Sequence, residues 1–252
     1  DDNPDMTDFL KRTFEGYFKR IIIAGDGVEA LQLVRSHVPD IIVSDVMMPR
    51  MNGYELCKTI KEDIAISHIP VILLTAKDDK QSLISGYKNG ADGYLSKPFE
   101  VEMLMELIRN RLKNREYTKK RYLNAGLIPT PEESTISLTD ETFLIKLNSI
   151  IQENIDNTNL GIQFICQEVG LGRSSLYNKL KALTGMGANE YISKLRIEKA
   201  ITLISGTDMP FSEIAEKTGF TTPSYFSTTF KQYTGETPSQ YKERKKKGLT
   251  DQ

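Results

Sequence analysis

The sequence predicts an α/β domain with a doubly wound parallel sheet, followed by an all-helical domain. Up to about residue 116, short apolar runs alternate with helical patterns, which is typical of a parallel sheet with helices on both faces. From Glu141 onward only helical periodicity remains. The 252 residues are enough for two ordinary hydrophobic cores. We therefore predict domains over 1–117 and 140–252, joined by a linker over 118–139.

The elements of the first domain follow from apolar periodicity and from the positions of Gly, Pro, Asn and Asp. A run of three β-branched or aliphatic residues, bounded by turn residues, predicts a buried strand, and apolar residues three or four apart predict a helix. The predicted elements are helix 6–17, strand 20–24, helix 27–34, strand 41–45, helix 54–63, strand 70–75, helix 80–89, strand 93–95 and helix 100–116.

Polar residues stand at the ends of several predicted strands. Strand 41–45 ends in Asp45, and the loop-forming residues after it place this carboxylate at the carboxyl end of a buried strand, where open α/β sheets bind ligands. A single Asp after a strand is often only a turn residue. Asp1 and Asp2 precede the first helix, Thr75 closes strand 70–75, and Lys97 follows strand 93–95. The joint pattern predicts a functional site at this edge of the sheet.

The three carboxylates of this set require a cation between them. At an effective dielectric constant near 20, two carboxylates a few ångström apart repel by roughly 4 kcal/mol. A hard divalent ion with oxygen ligands fits such a site, and we predict Mg²⁺. With this cation and the Lys97 ammonium nearby, Asp45 stays ionised and can attack a phosphoryl group in line, which gives an aspartyl phosphate.

The motifs D-D, S-D-V-M-M-P-x-M-N-G, L-L-T-A-K and G-A-D-G-Y-L-S-K-P-F occur in this order. Together they resemble the receiver domain of bacterial response regulators over about residues 1–115. The resemblance implies that Asp45 accepts a phosphoryl group from a histidine kinase. It also implies that Asp2 binds the metal directly, that Asp1 binds it through water, and that Met47 contributes its backbone carbonyl.

The same resemblance implies two switch residues. Thr75 would donate a hydrogen bond to the new phosphoryl group, and Tyr94 would swing inward behind it. The alternative for Tyr94 is a half-buried strand aromatic with a packing role only.

One element of the receiver pattern is missing. A receiver has a hydrophobic strand directly before its acidic pair, and this chain begins at Asp1. Because that strand would lie inside the sheet, we expect unpaired backbone groups and exposed apolar surface beside its position. We interpret the sequence as a piece cropped from a longer polypeptide.

The helical domain contains an internal repeat. The run Ile165-Cys-Gln-Glu-Val-Gly-Leu matches Ile214-Ala-Glu-Lys-Thr-Gly-Phe at an offset of 49, and after the turn the offset becomes 50. Each copy predicts a helix, a turn with Gly and a second helix, which is the helix-turn-helix plan. A long helix from Ala188 to Ser205 joins the copies. The alternative is a helical bundle that binds no nucleic acid.

The run IAEKTGF-TTPSYFSTTFKQYTGETPSQYKER resembles the AraC-type DNA-binding domain, and the resemblance covers about residues 145–246. Helical periodicity predicts which residues of the second helix of each copy face the core. In the first copy these are Leu176, Leu180 and Leu183, and in the second copy they are Phe226, Phe230 and Tyr233.

The remaining faces of these two helices are predicted to contact double-stranded DNA. Arginine can pair with guanine and asparagine with adenine, whereas small hydroxyl side chains suit phosphate contacts. In the first copy the predicted DNA contacts are Arg173, Ser174, Tyr177, Asn178 and Lys181. In the second copy they are Thr222, Ser224, Ser227, Thr228 and Lys231.

Composition limits the partners and the compartment that we can expect. The chain has 33 basic and 34 acidic residues, so net charge alone does not indicate nucleic acid as a partner. Its two cysteines, Cys57 and Cys166, are interpreted as small core residues in a reducing compartment. No apolar run is long enough to cross a bilayer and no signal peptide is visible, so we predict a cytoplasmic segment without membrane contact.

These observations predict a phosphorylation-controlled transcription factor that pairs as a homodimer when phosphorylated. It is expected to catalyse only its own phosphorylation and dephosphorylation. The order of domains resembles the C-terminal end of the hybrid two-component sensors of Bacteroides-like bacteria, in which a histidine kinase precedes the receiver. The alternatives are a free-standing response regulator and an unphosphorylated dimerising scaffold on a DNA-binding domain.

Overall fold

A computed structural model of the chain describes residues 1–76, 90–125, 137–246 and 248. The chain forms two compact units. Among the described residues, the first unit contains 1–120 and 137–142, and the second contains 121–125 and the residues from 143 onward. The helix predicted at 80–89 and much of the predicted linker lie outside the described residues. The domain boundaries at 117 and 140 therefore stay a prediction.

The first unit contains a parallel sheet whose three described strands are neighbours in chain order. They are β1 (Ile42–Asp45), β2 (Val71–Ala76) and β3 (Gly93–Lys97). The described helices are α1 (Pro4–Phe14), α2 (Gly27–His37), α3 (Gly53–Glu62) and α4 (Val101–Ala125), of which α4 belongs to this unit up to residue 120. The register sets Asp45 opposite Leu74 and Thr75 opposite Ser96, so the carboxyl ends of the strands meet at one edge.

Helices cover both faces of this sheet, which confirms the doubly wound prediction. Side chains alternate along β2: Val71 and Leu73 pack into the core on the side of α2 and α3, while Ile72 and Leu74 pack into the core on the side of α1 and α4. Val71 to Thr75 are all buried. A strand that is buried on both faces reads as a continuous apolar run, as this one does.

The predicted strand over 20–24 is wrong in this structure. These residues form no strand, and Ile22 and Ile23 are 36% and 39% exposed. A strand needs a neighbour to satisfy its backbone N–H and C=O groups, and no described strand pairs with this segment. These two isoleucines provide the exposed apolar surface that was expected from the sequence.

Several helix ends differ from the prediction, among them both ends of α1 and the end of α4. Helix α1 begins after Asn3, whose side chain accepts hydrogen bonds from the first-turn N–H groups, and Pro4 occupies the first helical position. It ends at Phe14 rather than Tyr17, because the chain turns at residues 15–18, and Tyr17 is exposed. Helix α4 continues to Ala125, although the apolar periodicity ends near Leu112.

In the described residues of the second unit, helices are the only regular secondary structure. Its helices are α5 (Leu138–Glu153, from residue 143 onward in this unit), α6 (Ile162–Val169), α7 (Arg173–Thr184), α8 (Ala188–Gly206), α9 (Phe211–Lys217), α10 (Pro223–Thr234) and α11 (Pro238–Lys246). No helix in the described residues is both long and apolar enough to span a membrane.

The repeat forms two helix-turn-helix copies, as predicted. The first consists of α6 and α7 and the second of α9 and α10, and α8 joins them. The turn glycines Gly170 and Gly219 both have φ of +72°, a conformation in which glycine carries no Cβ penalty. Ala215 is buried in the second copy, whereas Cys166 at the matching position is half-buried; Cys57 in the first unit is buried, as predicted.

Candidate functional site

Three carboxylates converge at the carboxyl edge of the sheet. Asp45 is the last residue of β1, and Asp1 and Asp2 lie just before α1. One oxygen from each carboxylate lies within 4.8 Å of the others. These three side chains are therefore close enough to hold a metal ion together. Asp45 is buried and Asp2 is exposed. The site therefore combines a shielded carboxylate with a solvent-facing one, which suits a hydrated cation.

Lys97, the last residue of β3, brings positive charge to this cluster. Its Nζ lies 2.9 Å from Asp1 Oδ2 and 3.0 Å from Asp45 Oδ2. The remaining oxygen of Asp1 accepts a hydrogen bond from the Asn3 N–H at 3.0 Å. One ammonium thus lies between two of the three carboxylates and offsets part of their mutual repulsion.

The loop after β1 fixes the Asp45 carboxylate. The Val46 N–H donates to Asp45 Oδ1 at 2.8 Å, and the Gly53 N–H donates to the Val46 carbonyl at 2.9 Å. A Cβ at Gly53 would overlap the Asp45 carbonyl oxygen, so only glycine lets α3 begin this close to the strand end. Asn52 and Glu55 form a capping box at the start of the same helix.

The loop is also fixed from the side of α2. Asp26 caps α2 by accepting hydrogen bonds from the Val28 and Glu29 N–H groups, and it forms an ion pair with Arg50 of the loop. Arg50 has φ of +63°, which is unusual for a residue other than glycine. Our sequence analysis missed Asp26, although an Asp before a helical pattern is a recognisable N-cap signal.

The other predicted receiver residues lie near this edge or beside the core. Thr75 is buried near the end of β2, and Tyr94 in β3 is half-buried against the core on the side of α2 and α3. Met47 is exposed in the loop after Asp45. The structure thus brings Asp1, Asp2, Asp45 and Lys97 into one cluster. The roles of Thr75, Tyr94 and Met47 stay predictions.

Helix α7 divides into a buried and an exposed face as its periodicity predicts. Leu176, Leu180 and Leu183 are buried. On the other face, Asn178 is half-buried and the predicted contacts Arg173, Ser174, Tyr177 and Lys181 are exposed. Lys179 is fully buried, with its ammonium 5.0 Å from the centre of the Phe143 ring. A charged residue in the core is the feature of this helix that apolar periodicity could not predict.

Helix α10 has a similar exposed face. Thr222, Ser224, Thr228 and Lys231 are exposed, and Ser227 is half-buried. The hydroxyl of Thr222 accepts the Tyr225 N–H at 3.2 Å and so caps the helix. Tyr225 is exposed at the start of the helix and was missed by our sequence analysis; its position, three residues before Thr228, puts it on the same face.

The prediction that Tyr233 is a core residue is wrong. Phe226 and Phe230 are fully buried, but Tyr233 is 38% exposed, and Thr229 is buried instead. The Tyr233 hydroxyl donates to the Glu190 carbonyl at 2.8 Å, so the ring lies across the start of α8. Partial burial of the phenol raises the pKa of Tyr233 to about 12. A tyrosine whose hydroxyl donates to a carbonyl is more stable at the rim of a core than inside it.

Comparison with known proteins matches both units. Residues 1–109 match the family model described as a response regulator receiver domain, and residues 165–244 match a model described as a helix-turn-helix domain. The chain is 40% identical over 244 residues to "Histidine kinase P4" of Formosa agariphila, which covers 97% of this chain and 18% of that protein. This chain therefore spans less than a fifth of that relative.

Two further matches concern shorter proteins. The chain is 32% identical over 181 residues to "Probable transcriptional regulator ycf29" of Pyropia yezoensis, which covers 68% of this chain and 82% of that protein. The solved receiver domain of Francisella response regulator 1452 is 36% identical to this chain. The match covers 45% of this chain and 93% of the Francisella domain, with a TM-score of 0.42.

Proposed function

We propose that phosphorylation of Asp45 controls the binding of this chain to DNA, because the chain belongs to the response regulators that join a receiver domain to an AraC-type helix-turn-helix domain. The observation that carries the proposal is the cluster at the carboxyl edge of the sheet. There, the buried Asp45 carboxylate lies beside two further carboxylates and forms an ion pair with Lys97. A phosphoryl acceptor of this kind needs a shielded carboxylate with positive charge nearby.

Receiver domains generally bind Mg²⁺ at the phosphorylation site, and the donor set of this chain fits that ion. Asp2 and Asp45 would bind it directly, Asp1 through water, and Met47 through its backbone carbonyl. Hard carboxylate and carbonyl oxygens are the ligands that Mg²⁺ prefers. When bound, the ion would neutralise the carboxylates and the oxygens of the incoming phosphoryl group.

The reaction transfers a phosphoryl group from a histidine of a kinase to Asp45. A carboxylate oxygen of Asp45 forms a bond to phosphorus while the bond from phosphorus to the imidazole nitrogen breaks, and the imidazole keeps that electron pair. The Lys97 ammonium then pairs with a phosphoryl oxygen. Thr75 donates its hydroxyl to another oxygen, and Tyr94 moves inward behind Thr75.

The helical unit supplies the output. The exposed faces of α7 and α10 would enter adjacent major-groove segments, so one copy of the chain covers roughly two turns of duplex. Arg173 and Asn178 on α7 would read bases, while the hydroxyls and Lys231 on α10 would contact phosphates. Phosphorylated chains would pair through their receivers. The likeness to a histidine kinase supports a parent polypeptide in which the kinase precedes this segment.

The test is labelling of the purified chain with acetyl phosphate, with and without Mg²⁺. We expect label on the parent protein only with Mg²⁺, and none on an Asp45→Asn variant. The matched control is Asp40→Asn, which makes the same change at an exposed residue before the amino end of β1. Full labelling of Asp45→Asn would show that the acceptor is wrong. An unlabelled parent protein that still binds DNA and dimerises would favour the scaffold alternative.

A further inference from the structure

The turn of the second helix-turn-helix copy packs directly against the loop that precedes the first. That loop runs from residue 154 to 161, between α5 and α6. Gly219 lies in the turn between α9 and α10, and a Cβ there would overlap the Ile155 carbonyl oxygen and lie 2.7 Å from Arg196 Nη2. The two copies are therefore joined by a close backbone contact in addition to α8.

Arg196 of α8 lies at the centre of this contact. Its Nε donates to the Ile155 carbonyl at 3.2 Å, and its Nη2 donates to the Asn157 carbonyl at 2.7 Å. The residue is only 9% exposed. Because guanidinium is planar and carries its donors in a fixed fork, these two bonds fix the loop relative to α8 in direction as well as in distance.

The same guanidinium also reaches the second copy. It lies 6.0 Å from the centre of the Phe220 ring, and Phe220 directly follows Gly219 in the turn. Phe220 is buried, and its ring packs edge-on against Tyr225 at 5.7 Å and in a tilted arrangement against Phe226 at 5.3 Å between ring centres. Both of these aromatic residues belong to the first turn of α10. Contacts therefore run without interruption from the loop before α6, through Arg196, to the start of α10.

We propose that Arg196 sets the spacing between the two DNA half-sites that one copy of the chain reads. The inference rests on the proposed DNA-binding function. Helix α8 fixes the distance between the copies, and its Ile197, Ala200 and Ile204 share a buried core with α9 and α10 of the second copy. The Arg196 contacts hold this assembly of α8 and the second copy against the loop that leads into α6, so α7 and α10 present their exposed faces at one separation and one angle.

This arrangement makes half-site spacing part of specificity. Insertion of one base pair moves a half-site by about 3.4 Å along the duplex and by about 35° around it. A rigidly joined pair of helices cannot follow that movement and loses one set of contacts. A loosely joined pair can follow it, at the expense of affinity for the correct spacing, because the freedom must then be lost on binding.

The test begins with a duplex selected from a random library by the parent chain. Binding is then titrated on that duplex, on versions with one base pair inserted or deleted between the half-sites, and on a single half-site. The parent should lose about ten-fold in affinity when the spacing changes. Arg196→Lys cannot keep both carbonyl bonds and the ring contact, and Phe220→Leu removes the ring alone. Both variants should lose less than about three-fold on the altered spacing.

The single half-site separates positioning from stability. Both variants should bind it within about two-fold of the parent, because the exposed face of α7 is unchanged. The matched control is Lys199→Arg, the opposite exchange at an exposed position three residues along α8, which should keep the full spacing penalty.

Two results would overturn the proposal. One is a parent-like spacing penalty in both variants. The other is an equal loss of affinity on the single half-site and on the double site, because this would mean that Arg196 only stabilises the fold. A parent chain that selects no duplex at all would instead contradict the proposed function itself.

Discussion

At the residue scale, the two helices that we propose to face DNA, α7 and α10, differ in the chemistry they expose. Helix α7 presents Arg173 and, half-buried, Asn178, whose donors and acceptors can pair with base edges. Helix α10 presents mainly hydroxyl side chains and Lys231. We infer that the first copy provides most of the base discrimination and that the second mainly adds phosphate contacts.

This difference gives a prediction for two single substitutions. Arg173→Ala should relax base preference at one position and weaken specific binding by about 1 to 3 kcal/mol. Lys231→Ala should weaken binding to all sequences alike and lower the salt slope by roughly one unit, because one phosphate contact is lost. Selection from a randomised site library, followed by titrations at several salt concentrations, measures both effects. An Arg173 variant with unchanged preference would contradict the assignment.

Single residues also show what the sequence could and could not predict. Motif order predicted the cluster of Asp1, Asp2, Asp45 and Lys97. For Asp45 and Lys97 the reason is that the carboxyl ends of parallel strands meet at one edge of the sheet, whereas Asp1 and Asp2 were assigned from the receiver resemblance. Periodicity assigned the leucines of α7 correctly. It failed for Tyr233, whose hydroxyl partner is a carbonyl 43 residues away in the chain. Contacts between distant residues leave no periodic signal, and the same holds for Arg196.

At the element scale, the start of α3 controls the position of the Asp45 carboxylate. Gly53 begins that helix directly beneath the last residue of β1, where a Cβ would overlap the Asp45 carbonyl. The helix therefore cannot begin with any larger residue unless the strand end moves.

Gly53→Ala should consequently destabilise the first unit and disturb the site together. We expect a loss of about 1 to 3 kcal/mol in the free energy of unfolding, the usual cost of forcing an extra carbon into a packed position. Denaturant titration followed by circular dichroism measures this loss, and acetyl phosphate labelling measures the effect on Asp45. The control is Gly25→Ala, where the new Cβ would make only an ordinary contact with Glu29. Equal stability of the two variants would refute the argument.

The segment over 20–24 shows why an element can be mispredicted although its sequence is read correctly. Its isoleucines have strong β propensity, but propensity gives a strand only where a neighbouring strand satisfies the backbone. In the described residues no strand pairs with this segment, and Ile22 and Ile23 are exposed. The sequence pattern indicates what a segment can form, and pairing decides whether it does.

At the scale of the whole molecule, we expect phosphorylation to act through pairing of receivers. A receiver pair would hold two DNA-binding units at high effective concentration, which raises affinity for a double site without new base contacts. Because α10 exposes mainly hydroxyl side chains, we expect a single chain to bind DNA modestly, so pairing of two chains would raise the affinity measurably.

The prediction is a phosphorylation effect that depends on the DNA. On a duplex with two direct repeats of the site that one chain reads, acetyl phosphate should strengthen binding by about 1 to 3 kcal/mol. On a duplex with one such site, the effect should nearly vanish. Titration of both duplexes with and without the phosphodonor measures this, and Asp45→Asn is the control that should show no effect on either. Equal strengthening on the duplex with one site would point to release of an inhibitory contact instead of pairing.

The contact between Gly219 and the Ile155 carbonyl also has a consequence for folding. Neither copy can complete its packing while the other is open, because the turn of the second closes on the loop before the first. The helical unit should therefore unfold in one cooperative transition, and the amides of α7 and α10 should exchange hydrogen with the same opening free energy. Native-state hydrogen exchange would reveal two separate foldons if this coupling were absent. With the coupling present, the two copies of the repeat form a single folding unit, in which neither copy persists alone.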